Sequence, residues 1–309
     1  MPSETLQVHS NAPHAVGGHR NAWLRWIGRT VAIWLLLAAL AGIAWGIAGP
    51  ATGRAAWVAG LTLAEILFAV ALILLGSIVE GFGWGLSLGT RWPYTRNIFT
   101  LLLRGDPEAA HRLVATLVGL VALALAIVHP VESSFVGLGL VIVTALFGMG
   151  TLYVLAGRAP AFVHGTHGLL AYLVLLNYLV ALQLPQVPLP IYLKVTVPLH
   201  AVLLALFLGG MVTGQRGFGK AIEAFTQPRR AAQWVFVLHG LAALLVVWTL
   251  GWMQQVYPVA FVLALVQLAV GFFLFHAVNL RPRHPGALVA FHQAFVLLIT
   301  CAIVFQWRW

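Results

Sequence analysis

The apolar positions of this chain neither alternate nor keep to one face of a helix. They run on for about 20 residues at a time between short polar breaks, the length a helix needs to cross roughly 30 Å of hydrocarbon. Nine such runs are predicted, at 30–48, 56–79, 107–129, 133–156, 160–183, 191–213, 230–252, 256–280 and 285–306. Backbone groups find no water to bond inside a bilayer, so each run is expected to be an α-helix. Connections as short as Arg158-Ala-Pro160 force antiparallel neighbours. The expected fold is an all-α polytopic membrane protein, multi-pass in the cell (inner) membrane, with the lipid bilayer as its solvent.

Two connections are long, 80–106 and 214–229, and they expose an internal repeat. The span before the first ends Gly76-Ser-Ile-Val-Glu-Gly-Phe-Gly, and the span before the second ends Gly209-Gly-Met-Val-Thr-Gly-Gln-Arg-Gly-Phe-Gly. After them come His111-Arg-Leu-Val-Ala-Thr-Leu-Val and His239-Gly-Leu-Ala-Ala-Leu-Leu-Val, offset by 128 residues. One pair of spans later, His167 and His292 are offset by 125. The pattern predicts two four-helix bundles, 56–185 and 186–309, with an extra N-terminal span (30–55) and a polar basic tail (1–29) outside the repeat.

Composition agrees with this class: 61% of the residues are apolar and only 8% are charged. The net charge of +10 comes from Lys and Arg scattered through the short loops, so no nucleic-acid site is expected. Cys301 is the single cysteine and excludes an intrachain disulfide.

The candidate chemistry centres on Asp106-Pro-Glu-Ala-Ala-His111-Arg112. Asp106 is a natural N-cap and Pro107 suits the first helical position, which puts Glu108 in the first turn and His111 on the same face three residues on. Within each half the two histidines lie on helices that run in the same direction, separated by one antiparallel helix, so all four enter the membrane from one side. Paired imidazoles with no Cys or carboxylate to complete a tetrahedral set suit axial ligation of haem iron better than zinc. His111 lies four residues beyond Pro107 and His239 eleven beyond Pro228, which predicts a height difference near 10 Å at about 1.5 Å per residue. His164, one turn before His167, is an alternative ligand; His200, Arg112 and the intramembrane Glu65 are further candidates.

The stretch Glu108-Ala-Ala-His111-Arg112-Leu-Val-Ala, the preceding Gly-Phe-Gly-Trp-Gly-Leu-Ser-Leu-Gly-Thr-Arg-Trp-Pro loop and the Leu146-Phe-Gly-Met-Gly run leading to His167 resemble the haem A synthase family over about residues 60–306. The resemblance implies an oxidoreductase with haem b as cofactor on His239 and His292. It implies haem O as substrate, its C8 methyl oxidised to the formyl of haem A, at a site of His111, His167 and Glu108. The partners implied are haem O synthase and cytochrome oxidase assembly factors, and a homo-oligomer is left open. The chain departs from the family in lacking a cysteine pair in 84–104, in having His239-Gly240 where a second His-Arg is common, and in its extra span.

Two other classes remain open on the same residues: a non-catalytic dihaem b subunit exchanging electrons with quinone, and a transporter or assembly protein. Orientation is also contested. The histidine side carries 13 of the 17 Lys and Arg when Arg230 is counted, 14 with Arg112, which predicts a cytoplasmic location, whereas the family places its histidine ends outside.

Overall fold

The computed structural model describes residues 54–94, 97–217 and 219–306; the expected tail and N-terminal span lie outside the described residues. Everything regular in the described chain is helical. Eight helices are long and apolar enough to cross a membrane, so the protein is an all-α polytopic membrane protein. In chain order the helices are α1 (Arg54–Gly81), α2 (Ile98–Leu103), α3 (Pro107–Val128), α4 (Glu132–Leu155) and α5 (Phe162–Gln183), followed by α6 (Leu189–Val195), α7 (Val197–Arg216), α8 (Ala231–Trp252), α9 (Pro258–Leu280) and α10 (Leu288–Gln306).

Each predicted span after the first has its helix, and two differences have local causes. The run expected as one helix over 191–213 is divided. Pro198 has no N–H to donate, the chain leaves helical geometry at Thr196 (φ −100°, ψ 80°), and the long helix restarts at Val197 and continues to Arg216. The helix expected from 230 starts at Ala231, because the Gln233 side chain turns back and accepts from the backbone N–H groups of Arg229 (2.9 Å) and Arg230 (3.2 Å). His239 is therefore the ninth residue of its helix and His111 the fifth of its own, which reduces the expected height mismatch from near 10 Å to about 6 Å.

The helices α1, α3, α4 and α5 pack in sequence around a ring, with α1 closing against α5; α7, α8, α9 and α10 do the same, with α10 touching α7. Between the rings, α1 meets α10 and α5 meets α7. Small residues make the α5–α7 contact close. A methyl group on Gly210 would lie 2.8 Å from the Gly165 Cα, and one on Gly214 would lie 2.8 Å from the Ala161 carbonyl oxygen. Gly210 and Gly214 are spaced as in membrane helix pairs whose backbones approach without intervening side chains. At the other contact, the Gly286 N–H donates to the Gly81 carbonyl (2.7 Å), tying the end of α1 to the start of α10.

Ten Lys and Arg of the described residues gather at the end of the bundle where α3, α5, α8 and α10 begin, whereas Arg54 and Lys194 belong to the opposite end. The four repeated histidines lie toward this charged end.

Candidate functional site

His111, His167, His239 and His292 each face the helix that precedes their own within the bundle, and the first three are held in one way. The Nδ1–H of His111 donates to the Leu72 carbonyl (3.2 Å), that of His167 to Thr144 (3.0 Å) and that of His239 to Ala205 (2.9 Å). Four residues after each acceptor stands a glycine: Gly76, Gly148 and Gly209. A methyl group on any of them would come within 3.0–3.2 Å of the imidazole Cε1. A free carbonyl fixes the tautomer, because an oxygen can only accept; the proton is on Nδ1 and the Nε2 lone pair is left for a ligand. His292 has the same glycine, Gly271, with a methyl–Cε1 separation of 3.6 Å, but its Nδ1 meets the Gln267 side-chain amide at 3.0 Å.

His239 and His292 line a cavity of about 790 Å³ enclosed by α7, α8, α9 and α10, and the ring centres are 6.3 Å apart with planes 62° to one another. The volume lies within the roughly 300–1,000 Å³ of cofactor pockets. The walls are apolar and include Val202, Leu206, Leu268 and Val296, with Arg216, Glu80 and Thr213 toward the charged end. Arg216 is buried, donates to the carbonyls of Lys220 (2.9 Å) and Pro282 (3.0 Å), and stands 3.8 Å from the Glu80 carboxylate of α1.

With ring centres 6.3 Å apart, His239 and His292 stand close enough that both would hold one metal-bearing group between them. Among the described residues no three His, Cys, Asp or Glu side chains converge on a common point. Two imidazoles and an apolar cavity of this volume are what a haem would need from the protein. The residues fit haem.

In the first half, His111 and His167 lie within electrostatic reach of each other. The connection 82–94 is fastened to the start of α3, one turn from His111. The Asp106 carboxylate caps the N–H groups of Glu108 (2.9 Å) and Ala109 (3.0 Å). Glu108 accepts from the Ser87 hydroxyl (2.8 Å), the Leu88 N–H (3.0 Å) and Arg112 (2.5 Å), and Arg112 also donates to the carbonyls of Arg91 and Pro93. Glu108 and Arg112 are both buried, and every side-chain bond named for them is to this connection or to each other.

The other sequence candidates separate from this group. His164 does not share the carbonyl-and-glycine arrangement, and its Nδ1 is buried with no hydrogen bond. His200 is exposed in the first turn of α7, at the opposite end of the bundle. Glu65 is fully buried with both oxygens unbonded, but it lies seven residues from Leu72, about 10 Å back along α1, and near Tyr178 of α5. Sequence reasoning missed Gln267 and Arg216. An amide in the middle of the apolar run of α9 was the available signal for the first, and an arginine just inside the end of a span for the second.

Compared with known proteins, the chain matches no family model, no curated protein and no solved structure.

Proposed function

We propose that this protein is a membrane haem-binding oxidoreductase of the haem A synthase type. The observation that carries the reading is the His239–His292 pair, with ring centres 6.3 Å apart across an apolar cavity of about 790 Å³. In this reading His239 and His292 hold haem b, which supplies one-electron redox chemistry when bound. His239 offers Nε2 already directed by the Ala205 carbonyl, the wall is apolar, and Arg216, buried beside Glu80, lies toward the charged end of the cavity. His111 and His167 bind haem O as substrate, and Asp106, Glu108 and Arg112 hold the connection 82–94 against the start of α3. Glu108 is the carboxylate nearest that pair in the chain and takes the role of proton acceptor during oxidation of the C8 methyl.

A second reading has its own support. The first-half imidazoles are held by the same carbonyl-and-glycine arrangement as His239, and the Glu108 oxygens already accept three donors, which suits a dihaem b electron carrier in which both pairs bind cofactor.

Pigment extraction from the purified protein separates the two. Haem O or haem A together with haem b supports the enzyme, and haem b alone at two per chain supports the carrier. The expected spectrum is low-spin and bis-histidine, lost from the second half in H239A and in H292A. A full spectrum in both variants, or no haem in the unaltered protein, overturns both readings.

A further inference from the structure

The four histidines are housed alike except for one bond. At His111, His167 and His239 the Nδ1 meets the backbone carbonyl of the residue four before the glycine, and those residues are Leu72, Thr144 and Ala205. The corresponding residue for His292 is Gln267, and its side chain stands where its own carbonyl would be expected. The Gln267 Nε2 lies 3.0 Å from the His292 Nδ1 and 3.0 Å from the His292 carbonyl oxygen, and the ring sits further from Gly271 than the other rings do from their glycines. The Gln267 Oε1 is buried with no hydrogen-bond partner.

An amide nitrogen only donates. Facing it, the His292 Nδ1 must accept, so the ring proton is on Nε2, the nitrogen that the neutral ring would need free in order to ligate. Turning the amide half-way round brings Oε1 to Nδ1, draws the proton there and frees Nε2, and it gives up the bond to the His292 carbonyl, which an oxygen cannot make. His239, across the same cavity, has no such option, since a backbone carbonyl cannot turn.

We propose that the Gln267 amide decides which nitrogen of His292 carries its proton, and so makes His292 the gated ligand of the pair while His239 is the permanent one. The inference rests on the haem reading of the second-half cavity for its consequence, but the proton position itself can be read without haem. Gln267 is a positioning residue; it touches the ligand and not the iron.

Two measurements on the full chain test it. Imidazole ¹⁵N NMR of the haem-free protein, with the His292 signals assigned by their loss in H292Q, is expected to show Nε2–H at His292 and Nδ1–H at His111, His167 and His239. In Q267A and Q267L the carbonyl of residue 267 is uncovered as at Ala205 and Leu72, and His292 is expected to change to Nδ1–H. Nδ1–H at His292 in the unaltered protein, or no change in either variant, overturns the proposal. Haem b uptake gives an opposite sign for the rival role. A gate predicts that Q267A and Q267L bind haem b more readily than the unaltered protein, whereas a residue that merely supports the ligand predicts a loss on the order of 10–100-fold. If the unaltered protein takes no haem at all, the functional reading fails and the NMR result still decides the role of the amide.

Discussion

Glycine decides how closely each imidazole can lie against its neighbouring helix. At Gly209 a methyl group would sit 3.1 Å from the His239 Cε1, tighter than ordinary van der Waals contact, and His239 cannot retreat without lengthening its bond to the Ala205 carbonyl. G209A should therefore destabilise the protein by about 1–3 kcal/mol and alter the haem spectrum. Gly168, one residue past His167, has nothing within 4 Å of an added methyl, so G168A should be neutral or stabilising by about 0.4–1 kcal/mol, because it restricts the unfolded chain. Thermal unfolding of both variants in the same detergent checks the contrast; equal effects would show that proximity to the ring is not what the glycine provides. The histidines themselves were legible because a repeat offset survives in sequence. Gln267 was not, because its meaning depends on a side chain taking the place of a carbonyl, which no spacing records.

At the scale of elements, the start of α3 was the most readable part of the chain. Asp106, Pro107 and Glu108 occupy the N-cap and first turn that their types predict. What they fasten was hidden, since Ser87 and Leu88 are about 20 residues away and belong to no periodic pattern. Removing Glu108 leaves the buried Arg112 guanidinium without its carboxylate. E108A is expected to cost about 3–5 kcal/mol and to open 82–94 to protease, while the second-half haem b stays bound. E108Q keeps the shape and one acceptor oxygen. If it forms haem A normally in cells that supply haem O, Glu108 is a fastener and the proton-accepting role is removed. The division of α7 from α6 was also illegible, because hydropathy runs on across Thr196 while Pro198 ends the hydrogen-bond ladder. The α5–α7 contact makes a further demand: G210L places a large side chain where Gly165 already touches, and should separate the two rings of helices, seen as loss of the folded band in mild detergent.

For the whole molecule, the positive charge at the histidine end sets an expectation about sidedness. Ten of the described Lys and Arg against two favour a cytoplasmic location for that end. With Cys301 changed to Ser, a cysteine placed at the exposed Lys220 should resist a membrane-impermeant maleimide added to intact cells and react after lysis. Labelling from outside would mean that the arginines at this end answer to a ligand and not to topology. Number and order of the described spans were readable from hydropathy alone; the face on which they lie is not, because charge that binds an anionic group and charge that anchors a loop look the same in sequence.

The placement of both histidine pairs near one end of the bundle also bears on energetics in a living cell. His239 is about four residues deeper in its helix than His111, roughly 6 Å of a hydrocarbon layer near 30 Å thick. A full crossing of one elementary charge is worth about 2.3 kcal/mol per 100 mV, so a charge passing between those two levels exchanges about a fifth of that with the field. On the haem reading, an electron passing between the pairs would move mostly along the plane of the membrane, so collapsing the potential with an ionophore should change its exchange between the two halves by no more than about twofold per 100 mV.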